Sequence, residues 1–464
     1  MKTNKKKAEA TILTHEGAAA AKESPEKELV RTVSGCLLFE DAFYEKGSDI
    51  AERIKDLVGK VSMKFVSDLA IRAREALKLR HVPLWLCVHM LQKKGDAKER
   101  NLVGETISKV IRRPDEMAEL LALYWKDGRK PVPRQLKAGI AKAFPKFDEY
   151  QLSKWNRDAA VKLRDALFIA HPKPQSKEQE ALWKKLVDNT LPPPETWEVM
   201  LSKGMTKKEA FTKLLTERKL GYMALLQNLR NCEEGEVDRA LIEESLIRGA
   251  PKSWALPFRF ITAAKHVPKF EDMLGKAMVA AAEALPKLKG RTLLVIDVSG
   301  SMAGTLSHKS QMSRIDAANG LAILMREQAE DITVYATAGN DGTRVHATDI
   351  VPARHGFALA DAIQKRTGEL GGGGIFLKQC MEYIQKKEKK PFDRVIVITD
   401  EQDCDDPSVK ASEAPKLGEY NYILNVGVYE PALPVMGAGW TRISGFSERV
   451  VDWIAVEEAE TGQQ

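Results

Sequence analysis

Asp297, Ser299 and Ser301 stand at alternating positions in the turn that closes segment 291–304, RTLLVIDVSGSMAG, and Asp400 closes a second segment, Val395-Ile396-Val397-Ile398-Thr399-Asp400. A carboxylate beside two hydroxyls, joined by a second carboxylate, is a hard oxygen donor set. It suits Mg2+ or Mn2+ better than zinc, because Mg2+ asks for oxygen ligands, keeps several waters and takes only one or two carboxylates from a protein. The plainer alternative for Ser299-Gly300-Ser301 is a polar turn that caps the following helix.

Both acidic turns need strands to position them. Leu293 to Ile296 and Val395 to Ile398 are short apolar runs rich in β-branched residues, the pattern of strands covered on both faces of a parallel sheet. Ligands of open α/β sheets bind outside the carboxyl ends of the strands, so oxygen side chains on two neighbouring ends can converge. Further strands are expected at 332–337 and 422–428, and helices at 312–326, 356–366 and 375–387. That alternation predicts a doubly wound parallel sheet. A last helix is expected near 448–456, followed by an acidic tail over 457–464.

The order of strand, D-x-S-x-S turn, helix and later strand ending in Thr399-Asp400 resembles a von Willebrand factor A domain with its metal-ion-dependent adhesion site. The resemblance implies Asp297, Ser299, Ser301 and Asp400 as metal residues, with Mg2+ or another divalent cation as cofactor. It also implies a threonine hydroxyl after paired glycines between the acidic segments. Here that loop reads Gly371-Gly372-Gly373-Gly374-Ile375, without a hydroxyl, so it is left unassigned. Either a water replaces the missing ligand or the site is weak or vestigial.

The chain of 464 residues exceeds what one core usually supports, so two domains are expected. There is no uninterrupted apolar run of the length that spans a bilayer, and no apolar core follows the charged start MKTNKKKAEA. A cytoplasmic protein is the expectation. Cys36, Cys87, Cys232, Cys380 and Cys404 are odd in number and widely spaced, against both a disulfide framework and a zinc site. From Arg291 onward there are 18 Lys+Arg and 25 Asp+Glu, a balance of −7; the preceding part holds 54 and 40, a balance of +14. A basic half beside an acidic half points the first half at a polyanion, with nucleic acid the leading candidate and simple solubility the alternative.

Residues 1–28 are rich in Lys, Glu and Ala and read as a flexible tail, followed by a helical module over 29–288 and the sheet domain over 289–456. Apolar spacing of three and four recurs across the helical module in short segments separated by Gly or Pro, as in stacked helix pairs of the HEAT or armadillo type. Leu136, Ile140 and Phe144 share one helical face, leaving Arg134, Lys137 and Lys142 largely off it. Ala160, Leu163, Leu167 and Ala170 suggest a second stripe, with Arg157 and Arg164 on one side and Lys154 and Lys162 nearby. Each of these cations is a candidate phosphate contact or a solvated surface charge. His171 ends the second stripe, where its position by itself reads as a structural histidine hydrogen-bonded at a helix C-terminus.

Several phrases of the helical half resemble the TROVE module of Ro autoantigens: the run 33–44, VSGCLLFEDAFY; Lys162-Leu163-Arg164-Asp165; His171-Pro172-Lys173-Pro174; Thr196-Trp197-Glu198; Gln227-Asn228-Leu229-Arg230-Asn231; and Pro257-Phe258-Arg259-Phe260. A TROVE module followed by a von Willebrand A domain is the Ro order. The resemblance implies a helical-repeat ring closed by the A domain, with small noncoding Y-type RNA on an outer basic surface and single-stranded ends of misfolded RNA in a central hole. It places His171 on the RNA surface, makes Arg230 and Arg259 candidates for the interior or for buried ion pairs, and suggests a processing exoribonuclease as a protein partner. Asp158 departs from the pattern, standing where the family has a basic residue. The expected role is RNA surveillance or processing without catalysis. The rivals are a metal-dependent protein-interaction scaffold and a metal-dependent hydrolase, the latter disfavoured by the lack of a second metal cluster or positioned base in the sequence.

Overall fold

The computed structural model describes residues 24–35, 47–253, 255–285, 287–306, 312–401, 404, 414–427, 439–444, 450–451, 454–455 and 458. Cys36, most of the run 33–44, most of the tail 1–28, and most of the last helix and acidic tail lie outside these residues. By contacts the chain forms two compact units, one of residues 25–39 and 47–245, the other of 1–24, 40–46 and 246–464.

The regular elements of the first unit are all helices among its described residues. Its helices start where the sequence supplies caps: Asp96 with Glu99, Asp148 with Gln151 and Thr206 with Glu209 each form a reciprocal box that satisfies otherwise orphaned backbone N–H groups. The expected stripe of Leu136, Ile140 and Phe144 is buried. Helices Ala97–Val110 and Arg134–Ala143 approach closely because Gly139 lacks a side chain; a Cβ there would meet Ile107 Cγ2 at 2.5 Å. Polar ties cross the buried layers, Ser67 with Thr106 at 2.7 Å between hydroxyls and Arg74 with the buried Glu116 at 2.6 Å.

The second unit carries a six-stranded sheet of β1 (Leu288–Asp297), β2 (Ala329–Asn340), β3 (Val345–Ile350), β4 (Phe392–Thr399), β5 (Gly418–Asn425) and β6 (Thr441–Ser444), in the order β3-β2-β1-β4-β5-β6. All neighbouring pairs are parallel except β2 with β3, an antiparallel edge. The expected combination of a helical module with an α/β domain is borne out, and the parallel core of the sheet with it. β3 and β6 were not read from the sequence, and the strand expected at 422–428 begins earlier, at Gly418. Helices Pro257–His266 and Glu271–Glu283, placed by the sequence reading in the helical module, pack here; Phe258 lies against Gly320 of helix Arg314–Gln328, where a Cβ would meet its ring at 2.3 Å.

Candidate functional site

The strand order reverses between β1 and β4, and such switch points form the crevice of doubly wound sheets. Asp297 ends β1 and Asp400 follows β4, so the register of these paired strands brings the two predicted acidic turns side by side. Asp297, Ser299 and Asp400 are buried, whereas Ser301 is partly exposed. Asp297 Oδ1 accepts from the Ser299 N–H at 2.9 Å and its Oδ2 from the Thr399 hydroxyl at 2.6 Å. The Ser299 and Ser301 hydroxyls are 3.1 Å apart. Burial, and then the neighbouring Asp400, push the Asp297 carboxyl above the usual carboxylate range.

The sequence reading missed Arg314. Its guanidinium donates to Asp400 Oδ2 at 2.6 Å and to the Ser301 carbonyl at 3.0 Å, joining the two acidic turns. A signal was present: Arg314 opens a helix behind the N-cap Ser313, where the helix dipole disfavours a cation unless an anion compensates. Behind Asp400, Glu401 and Arg442 form a buried pair with two contacts of 2.6 Å. Glu401 adopts φ of 64°, a left-handed conformation that this pairing helps to hold.

These residues fit a hard divalent cation. Asp400 Oδ1 is buried with no hydrogen-bond partner, Arg314 having taken the other oxygen, and two hydroxyls lie together in the adjoining turn. Ser299, Ser301 and Asp400 would hold such an ion, with Asp297 fixing the turn; the ion would supply a Lewis-acidic position open to a carboxylate. The glycine loop reaches this turn through backbone only, Gly300 N–H donating to Gly372 O at 2.9 Å, while Gly373 and Gly374 donate to Gly339 O and Asp341 Oδ1. Among the described residues no group of three or more His, Cys, Asp or Glu side chains gathers for a metal.

In the helical unit, Arg134 and Lys137 lie on helix Arg134–Ala143, Lys154 on Glu149–Trp155, and Arg164 on Leu163–Ala170, with Lys162 as its N-cap and His171 as its C-cap. The first and last of these helices pack together, and helix Lys177–Val187 touches the second and the last. Arg134, Lys137, Lys154, Arg157, Arg164 and His171 are exposed. Residues 156–162 are not helical, so the expected common helical side of Arg157 and Arg164 is not formed, and Ala160 is exposed rather than part of the stripe. Instead Arg157 stacks over Trp155, 4.8 Å from the ring centre, and Arg113 covers the same ring at 3.4 Å. Lys162 is held by Asp158 at 2.6 Å, which keeps that carboxyl below its usual range. His171 has φ of 47°, a left-handed cap, and donates its N–H to Leu167 O. Arg230 and Arg259 are exposed, not buried, and Arg230 pairs with Glu234 at 2.9 Å.

Three further residues join this surface. Arg100 lines a cleft of about 620 Å3 with Arg134 and Lys142, between helices Ala97–Val110 and Arg134–Ala143. Tyr150 and Phe168 are the only exposed large aromatic side chains among the described residues, at 44% and 53% exposure. Both lie among the predicted cations; an apolar residue left off the core stripe was their signal.

The TROVE domain model matches residues 188–328. The crystal structure of the Deinococcus radiodurans Ro (RSR) protein is similar over 92% of this chain and 98% of its own, with a TM-score of 0.63 and 18% identity. An aerotolerance-related membrane protein from Bacteroides fragilis matches 29% of this chain and 66% of its own at a TM-score of 0.21 and 17% identity, too weak to argue from. No curated protein matches. The class defined by the fold is a helical module joined to an α/β domain with a mostly parallel six-stranded sheet. Residues 188–328 thus resemble a TROVE domain, and the chain has the fold of the Deinococcus radiodurans Ro protein, as the resemblance in its sequence implies. Among the described residues no helix is long and apolar enough to cross a membrane.

Proposed function

We propose that the protein binds RNA: a small structured noncoding RNA of the Y type on the helical unit, and single-stranded ends of misfolded RNA, in surveillance or processing without turnover of its own. The observation that carries this reading is the exposed set Arg134, Lys137, Lys154, Arg157, Arg164 and His171 on neighbouring elements of one unit. Cations so spread match a phosphate backbone, and folded RNA is read largely through shape and backbone. The TROVE match supports the reading. Nucleic acid that co-purifies from the native cells should be a discrete small RNA. Alanine at Lys154, Arg157 and His171 together should weaken its binding and flatten the salt dependence; unchanged affinity and slope would refute the surface.

A second role sits in the other unit, where the unpartnered Asp400 Oδ1 favours a bound Mg2+ that accepts a carboxylate from a protein partner, a processing exoribonuclease being the partner proposed. Capture of an acidic peptide that depends on Mg2+ and is lost in Ser299→Ala tests it.

A further inference from the structure

A cleft of about 480 Å3 in the helical unit is walled on one side by Tyr150 and on the other by Pro192, Pro193 and Pro194. The proline wall is fixed in place: the Ser153 hydroxyl donates to Pro192 O, and Pro194 O accepts from the Thr196 N–H at 2.9 Å. Three successive prolines offer ring faces and no N–H groups, so this wall recognises flat apolar surfaces rather than hydrogen-bonding edges. The carboxylates at the rim are already engaged, Glu149 by Lys185 at 2.7 Å and Glu195 by Lys219 at 2.6 Å. Outside the cleft's lining but on the same helix as Tyr150, Lys154 places its Nζ 5.6 Å from the centre of the Tyr150 ring.

We propose that this cleft takes one unpaired nucleobase of RNA between the Tyr150 ring and the prolines, with Lys154 on an adjoining phosphate. The inference rests on the RNA-binding reading and deepens it. A stacking face beside an ammonium group matches the two halves of a nucleotide, and stacking without edge contacts accepts any base. Duplex RNA keeps its bases inside the stack and cannot enter. The cleft therefore distinguishes unpaired from paired RNA.

The test uses the full chain, a fluorescein-labelled oligouridylate and a blunt RNA duplex of equal length, titrated over a salt series. Tyr150→Ala should weaken oligouridylate binding about tenfold, the worth of one stacked base, and leave its salt slope and the duplex affinity unchanged. Tyr150→Phe should bind as the wild type, since the ring face is retained, whereas Lys154→Ala should lower the salt slope by about one. Equal oligouridylate affinity in Tyr150→Ala and wild type, or equal loss for both RNAs, overturns the cleft while leaving the RNA reading in place. Wild type that binds neither RNA overturns both. Because Tyr150 is exposed, unchanged thermal unfolding of its variants is the expected control.

Discussion

Arg314 Nη1 lies 2.6 Å from Asp400 Oδ2, and both side chains are buried. The pair joins the first turn of one helix to the end of β4, and the same guanidinium holds the Ser301 carbonyl. A buried ion pair adds little over an apolar replacement of both partners, but removing one partner leaves an uncompensated charge. Arg314→Met is therefore expected to destabilise the α/β unit by about 3–5 kcal/mol. Adding Asp400→Asn should recover most of that loss. Thermal unfolding of the two variants checks this, and a double variant no better than the single one would show that Arg314 acts through packing alone.

Divalent cations should stabilise the same unit. An ion bound only by the folded state raises stability by about 2.7 kcal/mol at a hundred times its dissociation constant. A rise in melting temperature with Mg2+ or Mn2+ that disappears in Ser299→Ala and in Ser301→Ala is the expected result. No rise in the wild type would mean that the loop of Gly371 to Gly374, which brings no hydroxyl, has left the site too weak to fill.

How much of this was legible depends on how local the cause is. Asp297 and Asp400 could be placed because an apolar run followed by a carboxylate marks a strand end from sequence alone. For Arg314 the sequence offered only the anomaly of a cation at a helix start; the anion that compensates it is 86 positions away and is brought near only by the packing of this helix and the end of β4 in the folded unit. β3 is a half-exposed edge strand that lacks the continuous apolar run of β1, and the four-residue β6 is too short to show a period. The cations of the helical unit were visible as charges. Their arrangement was not, because residues 156–162 leave the helix and the guanidinium groups of Arg113 and Arg157 stack on Trp155.

His89 should give the protein an acid-sensitive step. Its ring meets Trp85 edge to face at 4.3 Å, its Nε2 is buried without a hydrogen-bond partner, and burial pushes its pKa down to about 4. The unfolded chain binds this proton near 6.5 and the folded chain does not, so the stability present above pH 6.5 is lost as pH falls toward 4. The difference corresponds to roughly 3 kcal/mol. His89→Phe should flatten urea-unfolding stability across that window, and an unchanged slope would assign the acid sensitivity elsewhere.

The close approach of helices Ala97–Val110 and Arg134–Ala143 under the basic surface makes a last prediction. At Gly139 an added Cβ would lie 2.5 Å from Ile107 Cγ2 and 2.9 Å from the Gly104 carbonyl, so the helices must separate. Alanine is the better helix former by about 1 kcal/mol, but overpacking costs about 1–3 kcal/mol, and the backbone carbonyl cannot turn aside as a side chain can. Gly139→Ala should thus lower stability by about 1 kcal/mol or more. Ile107→Ala in the same chain should relieve the side-chain clash but not the carbonyl contact, giving a double variant more stable than the sum of its parts. Strict additivity in a double-mutant cycle would show that the two helices are not in contact through this glycine.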